Sequence, residues 1–339
     1  MKNENAKVDG RAAWFRKAGW GLFFHYLASP ASSKEKTVMT VEKWNDQINA
    51  FDVEGLAEEL DACGAAYMFI TIGQNSGFYL SPNKTYDRLV PRDKSRLSQR
   101  DLVQDLAAAL DKRGIRLMVY LPSKAPCTDD YAVDKLGFRT LLDVIQVKPR
   151  PETFVFPEGT DTQFPEAQRN WEAIIREWSE RWGNSIHGWW IDGCRPHHEM
   201  YREPEPPNFN SFADAMRAGN PDSIVAFNPG VRHPIIKHAD CEDYTAGETQ
   251  GLLPVHLQKD RWFQPIGGDV DGAQYHLLTF LGQQWGRGAP SLPEGLFIEY
   301  TKYLISKNGV LSWDIPPAID GHIQRDFFPM MKALGKATR

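Results

Sequence analysis

Short apolar runs typical of β-strands alternate with helical patterns along the first two thirds of the chain. The runs predict strands at 19–27, 67–73, 116–122, 187–193 and 223–230, and the intervening patterns predict helices at 52–64, 98–114, 167–183 and 209–221. The helix at 52–64 begins on Asp52 and ends on Gly64, and Ser98 with Asp101 resembles a capping box. Strands separated by helices in this way form a parallel sheet.

The alternation is less regular after residue 230, where strands are predicted at 240–248, 261–268 and 310–317 and a helix at 292–309. Eight strands in total predict an α/β fold, a (β/α)8 TIM-like barrel that is irregular in its second half. No linker marks a second domain, so residues 1–339 are predicted to form a single barrel domain with a flexible segment at 1–13. An open doubly wound sheet is the alternative, but no glycine-rich phosphate-binding motif follows the first strand.

Composition limits the partners of the chain. The formal net charge is −5 and no long basic run occurs, which argues against nucleic acid or an anionic membrane surface as the partner. No stretch approaches the ~18 apolar residues that span a bilayer, and the first ten residues lack the apolar segment of a signal peptide. We therefore expect a soluble protein, either cytoplasmic or exported with its leader removed, and a homo-oligomer is compatible with the sequence.

Metals and cofactors are not predicted. The four cysteines, Cys63, Cys127, Cys194 and Cys241, show neither CxxC nor CxxH spacing, so neither a zinc ribbon nor a dense disulfide framework is indicated. Residues 197–199, His-His-Glu, suggest metal ligands, but adjacent side chains point in different directions and no third ligand stands at a suitable spacing.

Polar and aromatic residues are concentrated where the predicted strands end, which is where active sites form in barrels of this type. They are His25, Tyr26, Gln74, Asn75, Tyr120, Asp192, Asn228, Glu242, Asp243, Glu248, Trp262, Trp313 and Asp314. An imidazole, amides, aromatic rings and several carboxylates together suit the binding of sugar hydroxyls and the cleavage of a glycosidic bond. The sequence therefore predicts a carbohydrate as the partner.

Asp192 is the leading catalytic candidate. It follows Trp189 and Trp190 at a strand end, where large aromatic side chains lower the local dielectric and strengthen the interaction of a carboxylate with an oxocarbenium-like transition state. Side chains alternate along a strand, so only one of the two tryptophans can face the barrel interior. The alternative interpretation of Asp192 is an ordinary Asp-Gly turn.

Five stretches resemble, in order and at comparable spacing, the catalytic barrel of glycoside hydrolase family 29, the α-L-fucosidases: residues 14–29, 51–80, 100–121, 189–193 and 303–321. The resemblance spans nearly the whole chain. It implies a retaining, exo-acting α-glycosidase that hydrolyses terminal α-L-fucose or a related sugar by double displacement. It also implies that Asp192 is the nucleophile and that His25 holds a sugar hydroxyl.

The resemblance assigns the general acid/base to Glu248, with Glu242 as the alternative. Glu248 lies in a segment, 243–254, that resembles one found downstream of the nucleophile in that family. An apolar neighbour such as Trp262 would raise the pKa of this acid, so that it is protonated near neutral pH.

The end of the second strand departs from the family. Residues 74–77 read Gln-Asn-Ser-Gly where the family has two histidines followed by Asp-Gly. The amides of Gln74 and Asn75 can still donate to and accept from hydroxyl groups. We therefore expect a polar ligand whose recognition differs from that of the family.

Further substrate contacts are expected at the mouth of the barrel. Arg232 either holds a hydroxyl or forms a structural ion pair. Trp190, Trp262 and Trp313 are predicted to offer apolar walls to a sugar face or a C6 methyl group, and His197 is expected near the leaving group.

A second hypothesis keeps the fold but not the reaction: a carbohydrate-binding protein on a catalytically degenerate barrel. The altered residues 74–77 and the weakly defined acid motivate it. Members of the resembled family usually carry a β-sandwich after the barrel, whereas this sequence ends one helix past the eighth predicted strand. An open site, or one covered by an oligomer, is therefore expected, and the sugar, its linkage and the aglycone are not determined by the sequence.

Overall fold

A computed structural model describes residues 10–28, 38–124, 126–138, 164–194, 201–252 and 267–339. The strands in these residues are β1 (Trp20–Phe24), β2 (Tyr67–Thr71), β3 (Arg116–Pro122), β4 (Ile186–Asp192), β5 (Ile224–Phe227), β6 (Asp269–Val270), β7 (Ala273–Gln274), β8 (His276–Phe280) and β9 (Val310–Asp314). The helices are α1 (Ala13–Ala18), α2 (Val41–Asn49), α3 (Val53–Cys63), α4 (Lys84–Leu89), α5 (Leu102–Asp111), α6 (Asp130–Leu136), α7 (Pro165–Trp182), α8 (Phe209–Met216), α9 (Glu294–Ser306) and α10 (Phe328–Thr338).

Seven strands form one parallel sheet in the order β5-β4-β3-β2-β1-β9-β8, and β6 and β7 form a separate antiparallel pair. The segment 243–249 bonds to both edges of the large sheet: Asp243 N donates to Val225 O in β5, and Thr249 N donates to Leu278 O in β8. Because one short segment reaches both edge strands, the sheet must curl on itself. The predicted α/β fold with a curled parallel sheet is confirmed, but in the described residues this sheet has seven strands rather than the eight of a full barrel.

The first five predicted strands are confirmed as β1 to β5, each within a few residues of its predicted ends. The predicted capping box at 98–101 is wrong. The Asp101 carboxylate accepts from Gln104 N and caps α5, whereas Ser98 Oγ donates to Arg100 O. The predicted helix start at Asp52 and end at Gly64 are confirmed as the caps of α3.

The second half of the chain differs more from the prediction. The predicted strand 240–248 pairs only at isolated bridges, Tyr244 with Gln274 and Glu248 with Leu278. Of the predicted strand 261–268, residues 261–266 lie outside the described residues, and β8 was not predicted. Residues 1–9 of the predicted flexible segment 1–13 are also outside them, while Ala12 is buried.

Alternation along the strands divides the apolar side chains into two layers. One layer fills the inside of the curled sheet and includes Phe23, Tyr120 and Trp190. The other lies between the sheet and the helices, where Trp189 stacks on Trp182 of α7. The prediction that only one of the adjacent tryptophans faces the interior is confirmed, because Trp190 stacks on Tyr120 inside the sheet.

Candidate active site

A cavity of about 380 Å³ opens at the carboxyl ends of the strands, within the usual size range of small-molecule sites. Seven of the predicted site residues line it: His25, Tyr26, Gln74, Tyr120, Trp190, Asp192 and Glu248. It is also lined by Phe23, Leu27, Gln47, Leu278, Trp285, Gly286, Arg287, Pro317, Ala318, Ile319 and Gln324. The curled sheet therefore gathers side chains from β1 to β4, from β8 and from the loop after β9 into one concave site.

Asp192 is the last residue of β4, and three donors hold its half-buried carboxylate. Oδ1 accepts from Gly193 N at 2.7 Å and from Asn228 Nδ2 at 2.9 Å, and Oδ2 accepts from Tyr120 OH at 2.7 Å. Gly193 has φ +76°, a backbone conformation that glycine adopts readily. The Asp-Gly pair thus turns the chain so that a backbone N–H faces the carboxylate, and the strand can end on an oriented acid.

Asn228, which follows β5, joins Asp192 to Glu248. Its Nδ2 donates to Asp192 Oδ1 at 2.9 Å and to Glu248 Oε2 at 2.7 Å, so each amide hydrogen serves one carboxylate. Its Oδ1 accepts from Gly230 N at 3.0 Å, which fixes the orientation of the amide. Because both acceptor oxygens bond to one nitrogen, they lie less than about 6 Å apart.

Glu248 is held against the sheet by its own backbone segment. Gly247 O accepts from Leu278 N at 2.9 Å, and Thr249 N donates to Leu278 O at 2.9 Å. A Cβ at Gly247 would come within 1.8 Å of His276 O, so the chain can approach β8 this closely only with glycine there. This close pairing places the Glu248 side chain at the cavity.

Tyr120 links Asp192 to the altered motif at 74–77. Gln74 Nε2 donates to Tyr120 OH at 2.8 Å, so the hydroxyl hydrogen of Tyr120 is the one that Asp192 Oδ2 accepts. Burial, with the nearby Asp192 charge, raises the pKa of Tyr120 well above its ordinary value. Tyr120 therefore stays a hydrogen-bond donor at physiological pH.

His25 is oriented by Asp314, the last residue of β9. Its Nδ1 lies 2.7 Å from Asp314 Oδ1, and Gly286 N donates to Asp314 Oδ2 at 2.5 Å. An ionised carboxylate only accepts, so Nδ1 carries the hydrogen and Nε2 is left for a ligand. The neighbouring Trp285 ring lies 5.9 Å from the imidazole, centroid to centroid.

The structure places Glu242 away from the cavity lining. Its buried carboxylate accepts from Phe227 N at 2.5 Å, from Ala239 N at 2.9 Å and from His238 N. Burial raises the pKa of Glu242 to about 8, against the effect of these backbone donors. The raised pKa expected of a general acid is therefore found on a carboxyl group that ties down a loop, and the assignment of Glu242 as the alternative acid is corrected.

The predicted sugar contact of Trp313 is also corrected. Trp313 is fully buried, donates from Nε1 to Thr301 Oγ1 at 3.1 Å and packs on Phe297 of α9. Successive side chains of a strand point to opposite faces, so Asp314 faces the cavity side and Trp313 the helices. Asn75 and Arg232 are exposed and are not among the residues that line the cavity.

Two predicted residues, His197 and Trp262, lie outside the described residues, as does the rest of the His-His-Glu run at 197–199. In the part of the chain that the structure describes, no group of three His, Cys, Asp or Glu is placed to bind a metal. None of the helices in these described residues combines the length and the apolar composition of a bilayer-spanning segment.

Sequence reasoning missed several cavity residues. Asp314, named with Trp313 at the end of the eighth predicted strand, orients His25 and is not itself among the residues that line the cavity. Trp285 and Arg287 follow β8, which was not predicted, and Gln324 lies in the loop after β9, so no sequence signal marked them.

The Alpha-L-fucosidase family model matches residues 39–338 of the chain. No curated protein matches the sequence. The endo-fucoidan hydrolase MfFcnA4, from glycoside hydrolase family 107, has a similar structure with a TM-score of 0.66 at 17% identity; the match covers 96% of this chain and 53% of that one. This chain therefore spans about half the length of MfFcnA4.

Two α-L-fucosidases are also similar in structure. The enzyme AlfC from Lactobacillus casei has a TM-score of 0.64 at 14% identity, with 97% of this chain and 98% of that chain covered. Isoenzyme 1 from Paenibacillus thiaminolyticus has a TM-score of 0.63 at 18% identity, with 97% and 75% covered. At these identities the likeness to solved structures shows the fold alone.

Proposed function

The chain belongs to the α-L-fucosidase family, and on that premise we propose that it is an exo-acting retaining glycosidase that hydrolyses terminal α-L-fucose or a closely related sugar. Asp192 is the nucleophile in this proposal and Glu248 the general acid/base. His25, Gln74 and Trp190 contact the sugar.

The observation that carries the proposal is the amide bridge between the two carboxylates. Asp192 and Glu248 both accept from Asn228 Nδ2, so their bonded oxygens lie less than about 6 Å apart. Retaining glycosidases hold their two carboxyl groups about 5 to 5.5 Å apart, whereas inverting ones leave roughly 6.5 to 9.5 Å for a water molecule. The short separation supports double displacement over inversion.

The hydrogen bonds of Asp192 also favour one of its oxygens as the attacking atom. Oδ1 already accepts two hydrogen bonds, from Gly193 N and Asn228 Nδ2, whereas Oδ2 accepts one, from Tyr120. Oδ2 thus keeps a lone pair that can attack the anomeric carbon. As the bond from Oδ2 to this carbon forms, the bond to the leaving oxygen breaks, and Glu248 gives that oxygen its proton.

The second half of the reaction reverses these roles. Glu248, now ionised, takes a proton from a water molecule that attacks the anomeric carbon, and the Asp192 carboxylate leaves. The sugar is released with its original configuration. Asn228 donates one N–H to each carboxyl group. It therefore stabilises whichever of the two groups is charged at each step of the reaction.

A pair of carboxylates bridged by one amide also favours an enzyme over a sugar-binding protein. Binding of a neutral sugar needs donors and acceptors but no acid held beside a second acid, since two neighbouring carboxylates repel one another. The residues at the cavity therefore favour catalysis over the alternative of a degenerate barrel.

The test uses 4-nitrophenyl α-L-fucoside, with proton NMR to identify the first anomer released. The proposal expects the α anomer first and loss of about 10³-fold or more in kcat for Asp192→Asn. Asp222→Asn, at an exposed aspartate, is the matched control, and its kcat should equal that of the wild type. Release of the β anomer first would show inversion, and release of no product from a panel of aryl glycosides would leave only the binding function.

A further inference from the structure

Arg287 is the one Lys or Arg among the described residues that line the cavity. It ends a tight turn in which Arg287 N donates to Gln284 O at 3.1 Å and Gln283 N donates to Arg287 O at 2.9 Å. The preceding residue, Gly286, is bonded through its N–H to the Asp314 carboxylate. A Cβ at Gly286 would come within 2.8 Å of His25 Cβ, so the turn is held close to the proposed sugar contacts.

The guanidinium group of Arg287 has no acidic partner in the described part of the chain. No Asp or Glu oxygen of these residues lies within 4.0 Å of it, and its Nε is buried without a hydrogen-bond partner. Other partly buried arginines of the described residues do have acidic partners, for example Arg217 with Asp243 at 2.6 Å and Arg113 with Glu54 at 3.0 Å.

An unpaired guanidinium in a cavity is unusual because a buried N–H without an acceptor is unfavourable. A ligand atom that accepts from Nε would remove that penalty. The planar fork of donors on arginine matches the geometry of a carboxylate or sulfate oxyanion better than that of a neutral hydroxyl. The two carboxylates at the cavity, Asp192 and Glu248, do not approach closely enough to fill this role.

We propose that the glycoside taken by this cavity carries an oxyanion substituent, a sulfate ester or a carboxylate, and that Arg287 binds it. The inference rests on the proposed function, because the cavity is taken to be the site of the glycoside. Arg287 is then a specificity-determining residue. It favours an anionic substrate in a site whose other charged groups would repel one.

The experiment compares kcat/KM for neutral 4-nitrophenyl α-L-fucoside with kcat/KM for its 2-, 3- and 4-O-sulfated forms. A fucoside of 4-hydroxybenzoate places the anion on the aglycone instead. Each is measured with the wild type, Arg287→Gln and Arg287→Lys. Arg325→Gln is the matched control, since Arg325 is exposed, follows the cavity residue Gln324 and gives the same change of charge.

We expect wild type to prefer at least one anionic substrate by about 10- to 100-fold, the range of one hydrogen-bonded charge. That ratio of anionic to neutral kcat/KM should fall towards 1 in Arg287→Gln, recover in part in Arg287→Lys and stay unchanged in Arg325→Gln. The substrate that shows the effect identifies whether the anion lies on the sugar or on the aglycone. A wild type that prefers the neutral substrate, or an Arg287→Gln ratio equal to that of wild type, would overturn the inference.

Failure of the proposed function has a different signature. If no aryl glycoside is turned over, titration calorimetry with fucose and with its monosulfates tests anion binding by Arg287 independently of catalysis. Tighter binding of a monosulfate that is lost in Arg287→Gln supports it. Equal binding by wild type and variant, or no binding, contradicts it.

Discussion

The carboxylates of Asp192 and Glu248 share one hydrogen-bond donor, the Nδ2 atom of Asn228, at 2.9 and 2.7 Å. Two carboxylates held so near each other repel when both are charged, and a shared N–H donor between them offsets part of that repulsion. Asn228 itself is buried and is not among the residues that line the cavity. It therefore acts as a positioning residue for the proposed nucleophile and acid.

Asn228→Ala is expected to lower kcat by about 10- to 100-fold, because both carboxylates lose a donor and their orientation. It should change KM much less than kcat, since Asn228 is not among the residues that line the cavity. Asn220→Ala is the control: this asparagine is also buried and donates to Ile186 O at the start of β4. The control should lower stability but leave kcat unchanged, and an unchanged kcat in Asn228→Ala would remove the positioning role.

Tyr120→Phe removes the hydroxyl that donates to Asp192 Oδ2 and accepts from Gln74 Nε2. We expect kcat/KM to fall by roughly 10- to 100-fold, the effect of one hydrogen bond to a charged group, while the stacking of the ring on Trp190 preserves the fold. Tyr244→Phe is the matched control, because this buried hydroxyl donates to Trp189 O, away from the cavity lining. Steady-state kinetics and thermal melts on both variants separate a loss of activity from a loss of stability.

The sequence located Asp192 because a strand end with two tryptophans and an Asp-Gly pair is a local signal. The bridge through Asn228 could not be predicted in the same way. It depends on the path of 243–249, which bonds to both sheet edges without forming a regular strand. Periodicity does not report such a path, because its backbone pairing is set by the distant strands β5 and β8.

The strand β8 in the second half of the chain could not be predicted either, because its apolar run is short. The run at β8, His276–Phe280, lies between two stretches of mixed polarity, and a run of five residues does not by itself distinguish a strand from other buried segments. For Trp313 and Asp314 the sequence does contain a sufficient signal. Side chains alternate along β9, so an Asp314 side chain on the cavity side requires Trp313 to face the helices.

Glu248→Gln tests the proposed acid/base through the leaving group. The variant should lose about 10²- to 10⁴-fold in kcat/KM for a fucoside with a poorly acidic aglycone, which needs a proton as it departs. The loss should be much smaller for a 2,4-dinitrophenyl fucoside, whose aglycone leaves without one. Equal losses for both substrates would show that Glu248 does not act as the acid.

Glu242→Gln should change the pH dependence of stability. The pKa of Glu242 is about 8 in the folded chain because of burial, against about 4.3 in an unfolded one. Between these values the folded state holds the proton more strongly, so the contribution of this group to the free energy of unfolding falls as the pH rises from about 4.3 to about 8. The full effect is roughly 3 to 5 kcal/mol.

Urea denaturation at pH 5 and 8 should show the wild type losing stability relative to Glu242→Gln as the pH rises. Exposed Glu58→Gln is the control, and its stability should change with pH as that of the wild type does. The opposite trend would mean that the backbone N–H groups of Phe227, His238 and Ala239 outweigh burial and hold Glu242 as a carboxylate.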